Sequence, residues 1–153
     1  MDLTDLPTFR VVACDLNGQM RGKIVPGSFA DKLASGAVRM PLSVLNVDLW
    51  GADVDGSPLV FETGDADGML FPTERGPMPT PWLDTPSALV PMTLNNDDGT
   101  PFAGDPRHAL TRVLKQYDAY GWQVVAATEM EFTLVSGNGE TLCPPNDPRN
   151  GLP

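Results

Sequence analysis

The apolar positions change rhythm along the chain. Phe9 to Asp15 is rich in β-formers, and after Asn17-Gly18 a second such run extends from Met20 to Val25 and stops at Pro26. Asn-Gly between two runs of this kind predicts a hairpin, because a two-residue turn needs positive φ at both positions. Ser28 is placed to cap a short helix, with Asp31 at the capping-box position, Phe29 and Leu33 on the inner face and Gly36 as its stop. Leu42 to Trp50 reads as a β-like stretch closed by Gly51. Asp55-Gly56 and Asp67-Gly68 mark further turns, with Leu59-Val60-Phe61 between them and Met69-Leu70-Phe71 after. Residues 72–81 contain four prolines and are expected to run extended and mostly unpaired. Ser87 to Leu94 is another strand, ended by Asn96-Asp97-Asp98-Gly99.

From residue 105 the period becomes helical. Asp105 is an N-cap carboxylate and Pro106 suits the first helical position. Leu110, Val113, Leu114 and Tyr117 follow at i, i+3, i+4 and i+7, which predicts one buried stripe on a helix over 105–121 ended by Gly121. Trp122 to Val135 then alternates as a strand, and 136–153 is rich in Gly, Pro and Asn with little to bury. The pattern is therefore α+β: a mixed sheet with a short helix over 1–104, then a helix, a strand over 122–135 and an open loop over 136–153. So long a terminal loop is unusual in a globular domain. It reads either as a tail or as a larger protein interrupted inside a loop.

Composition adds exclusions. The 153 residues suffice for one domain and the start of another. Ten Lys and Arg scattered among twenty acids give a net charge of −10 and no basic face, which argues against nucleic-acid binding. Cys14 and Cys143 are far apart and form no Cys-x-x-Cys pair, so they are read as reduced thiols in a cytoplasmic protein. The acidic start Met1-Asp2-Leu3-Thr4-Asp5 has no apolar signal region, and no run is long enough to span a membrane.

Candidate chemistry is sparse. On the strand over 122–135, Glu129 and Glu131 point to one side while Met130 and Phe132 point to the other. Alternate residues lie roughly 6.6 Å apart at Cα, so both carboxylates can reach one hard cation or two neighbouring ones. Oxygen donors without imidazole or thiolate favour Mg²⁺ or Mn²⁺ over zinc. The pattern is common, and by itself a solvated strand face explains it more simply. The Asp-Gly sites lack the glutamate at position twelve that an EF-hand loop requires, so they are turns. A single histidine, His108, argues against zinc or triad chemistry. Asp48 sits in the otherwise apolar run Val44-Leu45-Asn46-Val47-Asp48-Leu49-Trp50-Gly51, where it marks a strand end or a site.

In this order the pieces resemble the amino-terminal part of a glutamine synthetase family enzyme. They are Asp15-Leu16-Asn17-Gly18-Gln19-Met20-Arg21-Gly22-Lys23, Gly64-Asp65-Ala66-Asp67-Gly68 with Pro72, Pro81-Trp82, Asp98-Gly99-Thr100-Pro101, Asp105-Pro106-Arg107 and Glu129-Met130-Glu131-Phe132. The resemblance implies a β-grasp domain over 1–104 and the beginning of a catalytic domain over 105–153, whose first strand carries Glu-x-Glu. It implies that Glu129 and Glu131 are ligands of Mg²⁺ or Mn²⁺. It implies that Asp48 is the β-grasp aspartate that helps bind the incoming ammonium ion. The implied chemistry is ATP-dependent: the side-chain carboxylate of glutamate is phosphorylated, and ammonia or a small amine then displaces phosphate. The implied assembly is a homo-oligomeric ring with active sites between subunits.

Members of the family carry a Gly- and Ser-rich segment after that aspartate. Here Leu49-Trp50-Gly51 follows, which is similar to the branch that uses larger amines, the γ-glutamylpolyamine synthetases. The family's remaining metal ligands, nucleotide contacts and phosphate-binding arginines have no match in these 153 residues, so the chain alone is expected to be inactive. A stand-alone β-grasp module that assembles with or modulates a full-length relative is the alternative. An acidic structural or calcium-binding domain is a third possibility.

Overall fold

The first hairpin forms where the sequence places it, between β1 (Thr8–Cys14) and β2 (Met20–Pro26), paired antiparallel from Thr8↔Pro26 to Cys14↔Met20. Alternation along β1 sends Phe9, Val11 and Ala13 into the core. The turn differs from expectation. The loop runs over residues 15–19 and only Gly18 has positive φ, at 77°, because the Asp15 carboxylate and not a two-residue turn organises it. The consecutive positive-φ pair occurs instead at Gly64 (67°) and Asp65 (56°). The computed structural model describes residues 2–137, 139 and 142–145. They fall into two compact units, 1–122 and 123–153.

In the first unit, β3 (Arg39–Pro41), β4 (Asp67–Pro72), β5 (Met78–Pro79) and β6 (Ala88–Asn95) complete a mixed six-stranded sheet. Its order is β2-β1-β6-β4-β3, with β5 on the start of β6. Strands β1 and β6 run parallel at the centre and all other pairs are antiparallel. Five of the eight β6 positions are buried and the other three half-buried, as suits a central strand flanked on both sides. The core joins Phe9 and Val11 of β1, Leu70 of β4, and Val90, Met92 and Leu94 of β6 to Leu33, Val38, Met40, Leu45 and Phe102. Each large apolar side chain so buried contributes about 1.5–3 kcal/mol relative to exposure.

Several elements depart from the sequence reading. Gly27–Ser35 is a 3-10 helix whose N-cap is Pro26, without a side-chain capping bond, so Ser28 is not its cap; Gly36 does end it, at φ 67°. The β-like stretch 42–50 is a 3-10 helix at Leu42–Leu45 followed by a turn: the β3–β4 pairing stops after the Leu42 N–H to Ala66 O bond, and the backbone groups beyond it bond locally, as Asn46 N to Ser43 O and Asp48 N to Ala52 O. Leu59-Val60-Phe61 lies in a single helical turn, α1 (Pro58–Phe61). Asp67-Gly68 is not a turn but the start of β4, opposite Pro41 and Met40.

The expected helix is α2 (Pro106–Ala119), with Pro106 in its first turn and Asp105 as N-cap. The Asp105 carboxylate, 1% exposed, accepts from Arg107 N and from Leu94 N at 2.7 Å each, so it caps α2 and holds it to β6. The expected burial of the α2 stripe is corrected. Leu110 and Val113 are exposed, Tyr117 is 41% exposed, Leu114 is half-buried, and α2 contributes no fully buried residue. Periodicity reveals a face that suits a partner; among the described residues no element covers this one.

In the second unit, residues 123–135 form no ladder among the described residues, so the strand expected over 122–135 is not made. A strand exists only through hydrogen bonds to a neighbour, and its alternation cannot supply one. Ser136 and Cys143 form an isolated antiparallel bridge. The rest of the loop expected over 136–153 lies largely outside the described residues. Cys14 is half-buried and Cys143 exposed, each a free thiol. Among the described residues no helix is long and apolar enough to cross a membrane.

Candidate functional site

Asp48 lies in a tight turn that follows the 3-10 helix at Leu42–Leu45. Its backbone N–H donates to Ala52 O at 2.9 Å, and its carbonyl accepts from Gly51 N at 3.0 Å. Its Oδ1 accepts from Trp50 N at 2.9 Å and from Ala52 N at 2.8 Å. A short acceptor side chain folded back on its own turn is what makes aspartate favourable there. Oδ2 accepts no hydrogen bond from the described residues. Gly51 adopts φ 87° at the corner, and Leu49 and Trp50 are exposed, Trp50 at 88%.

The β1–β2 loop packs against this turn. Asp15 is 1% exposed, yet its carboxylate is fully engaged. Oδ1 accepts from Asn17 N and Gln19 N, and Oδ2 accepts from Arg21 Nε, all at 2.8 Å. Burial pushes the Asp15 carboxyl up, but the hydrogen bonds from Arg21, Gln19 and Asn17, with the Arg21 charge, outweigh it and hold the group below its ordinary value of 3.8. Asn17 Nδ2 donates to Val47 O and Asp48 O at 3.1 Å each, and Leu16 N donates to Leu45 O at 3.1 Å. The Arg21 guanidinium lies so close to Gly51 that a Cβ there would come within 2.9 Å of a terminal nitrogen. Sequence reasoning passed over Asp15, Asn17 and Arg21 as chemistry-bearing residues. The available signal was a carboxylate two residues before an Asn-Gly pair, since such a group stays inside only if the loop's own amides satisfy it.

Glu129 and Glu131 belong to the second unit and Asp48 to the first. Both are exposed on an unpaired stretch. Among the described residues no group of three or more His, Cys, Asp or Glu is arranged to hold a metal ion. Their donor chemistry suits Mg²⁺ or Mn²⁺, which take one or two carboxylates and complete their shell with water and substrate phosphate. His108, near the start of α2, is half-buried with Nε2 2.8 Å from Asn95 Oδ1, a contact between helix and sheet.

Comparison with known proteins gives a consistent picture. Residues 103–149 match the family model of the glutamine synthetase catalytic domain. The chain is 36% identical over 132 residues to the gamma-glutamylputrescine synthetase PuuA of Escherichia coli (strain K12), an alignment covering 82% of this chain and 26% of that protein. It is 27% identical over 132 residues to the glutamine synthetase of Thermotoga maritima, covering 84% of this chain and 27% of that one. The chain thus spans about a quarter of the length of the curated relatives it matches. Among solved structures, a novel glutamine synthase homolog superposes with TM-score 0.64 at 18% identity, over 75% of this chain and 27% of that one. GmaS in complex with ADP superposes with TM-score 0.57 at 24% identity, over 78% of this chain and 26% of that one. These last two likenesses speak to the fold alone.

Proposed function

We infer that this chain, a member of the glutamine synthetase family, is the amino-terminal part of an ATP-dependent ligase that joins glutamate to ammonia or a small amine. The observation that carries this reading is the 36% identity to a gamma-glutamylputrescine synthetase, which runs through most of the chain. The sheet supports the domain assignment. A hairpin, a crossover through the 3-10 helix at Gly27–Ser35, and parallel first and last strands at the centre support a β-grasp unit over residues 1–104. Residues 105–153 then begin the catalytic domain.

In this reading Asp48 receives the amine. Two backbone amides hold Oδ1 and leave Oδ2 to face a cation, so the carboxylate attracts an ammonium group and can take up its proton. The uncharged amine then attacks the γ-carbonyl carbon of phosphorylated glutamate, a carbon–nitrogen bond forms, and phosphate leaves. Glu129 and Glu131 would hold Mg²⁺ or Mn²⁺, which supplies charge neutralisation for phosphoryl transfer from ATP. The proposed enzyme is a cytoplasmic homo-oligomeric ring. The 153 residues alone are inactive, because two carboxylates cannot provide the rest of such a site.

Phosphate release coupled to a chromogenic reaction tests this, with glutamate, ATP, Mg²⁺ and either ammonia, putrescine or a monoamine. The protein encoded by the uninterrupted reading frame is compared with residues 1–153. Turnover by the longer protein only is expected. Steady turnover by residues 1–153 refutes the inactivity, and silence of the longer protein with every amine refutes the ligase. The self-contained core of the first unit favours one second reading, a β-grasp module that modulates a full-length relative. Mixing residues 1–153 into the longer enzyme distinguishes it: a change in rate at fixed enzyme supports the module.

A further inference from the structure

The β1–β2 loop and the Asp48 turn are joined at three points, and each joint uses a group that β-pairing leaves spare. Leu16 N reaches Leu45 O, at the entry to the turn. Asn17 Nδ2 spans Val47 O and Asp48 O, both at 3.1 Å. The Arg21 guanidinium, tied through Nε to buried Asp15, lies against Gly51 on the far side. The Asp48 carbonyl thereby accepts twice, from Gly51 N and from Asn17 Nδ2. A carboxamide is the side chain that suits this place. It offers two N–H donors from one nitrogen, whereas a carboxylate would turn lone pairs toward two carbonyl oxygens.

We propose that the β1–β2 loop is the positioning element of the Asp48 carboxylate, with Asn17 as its positioning residue. Asn17 bonds the carbonyls of the two successive peptides that flank the Asp48 Cα and none of the Asp48 carboxylate oxygens, so it acts through the turn and not on a substrate. Loosening the Val47–Asp48 peptide frees the turn to open and lets Oδ1 exchange its two amide donors for water. The consequence for amine capture rests on the reading of Asp48 given above: a carboxylate that wanders binds an ammonium group less well, while ATP and glutamate are unaffected.

Asn17 is exposed and outside the core, so its replacement leaves the sheet folded. Amide hydrogen exchange is measured on residues 1–153 for the wild type, Asn17→Ala and Asn17→Gln. The amides of Trp50 and Ala52 should exchange about tenfold faster in Asn17→Ala, the effect of losing roughly one hydrogen bond, with β1 and β6 amides unchanged and Asn17→Gln between the two. Unchanged exchange at Trp50 and Ala52, or equal acceleration throughout the sheet, overturns the proposal. In the longer protein, Asn17→Ala should raise the amine KM about tenfold and leave kcat and the KM for ATP within about twofold; an unmoved amine KM in an active enzyme overturns the link to amine capture. If the exchange result holds and the wild-type longer protein makes no γ-glutamyl amide, the ligase reading fails and the positioning of the turn stands.

Discussion

Arg21 donates its Nε–H to the Asp15 carboxylate at 2.8 Å, and the two ends of this pair live in different environments: the Asp15 side chain is fully shielded, while that of Arg21 keeps 27% of its exposure. A shielded carboxylate is tolerated because two amides of its own loop and one guanidinium satisfy it. The pair therefore fixes the loop and, through Arg21, the neighbourhood of Gly51.

Asp15→Asn should destabilise the chain by about 2 kcal/mol, since its NH₂ would face the Arg21 donor and the charge-assisted bond is lost. Asp15→Ala should cost more, because the Asn17 and Gln19 amides lose their acceptor too. Urea unfolding at neutral pH measures both. The pH dependence follows from the lowered carboxyl. Its stabilisation is fully present above the unfolded value near 3.8 and is lost as pH falls through the lower folded value. The wild-type urea midpoint should therefore drop in acid more than that of Asp15→Asn.

Asp105→Ala should cost about 1–3 kcal/mol, because one side chain both caps α2 and accepts from Leu94 N in the central strand. Asp105→Asn should cost less, since asparagine also caps. Circular dichroism at 222 nm during urea unfolding distinguishes the variants. Equal stability of Asp105→Ala and wild type would contradict the bridging role.

Two glycines of the first hairpin should respond differently to alanine. At Gly22 a Cβ would fall 1.8 Å from Val11 O, so the ladder must shift and Gly22→Ala should fold poorly. At Gly18 nothing lies within 4 Å and only the left-handed φ of 77° is unfavourable. Gly18→Ala should therefore cost about 1–2 kcal/mol. Thermal unfolding compares the two.

Glu129→Gln and Glu131→Gln should leave the urea midpoint of residues 1–153 unchanged, because both residues are exposed and form no ion pair among the described residues. Calorimetric titration of the wild-type chain with Mn²⁺ should show no binding tighter than about millimolar, as expected for two carboxylates without further ligands. Micromolar binding abolished by either variant would show that the pair forms a site by itself.

The chain's own pattern determined a good deal. The β1–β2 and β6 runs, the Asp105-Pro106 helix start and the Gly36 and Gly121 stops are local events, set by side-chain alternation, capping groups and glycine's access to positive φ, so they were legible. The ordered motifs were legible too, and the comparisons place them in the glutamine synthetase family. Tertiary structure decided what depends on a partner. It made 42–50 a 3-10 helix and turn, drew Asp67-Gly68 into β4 and, among the described residues, left the α2 stripe uncovered and 123–135 without a ladder. Pairing and burial are properties of two surfaces, and one segment's periodicity describes only its own. The same reason hid the Asp48 environment. Asp15, Asn17 and Arg21 lie about thirty residues before that turn, and only folding brings their donors to it.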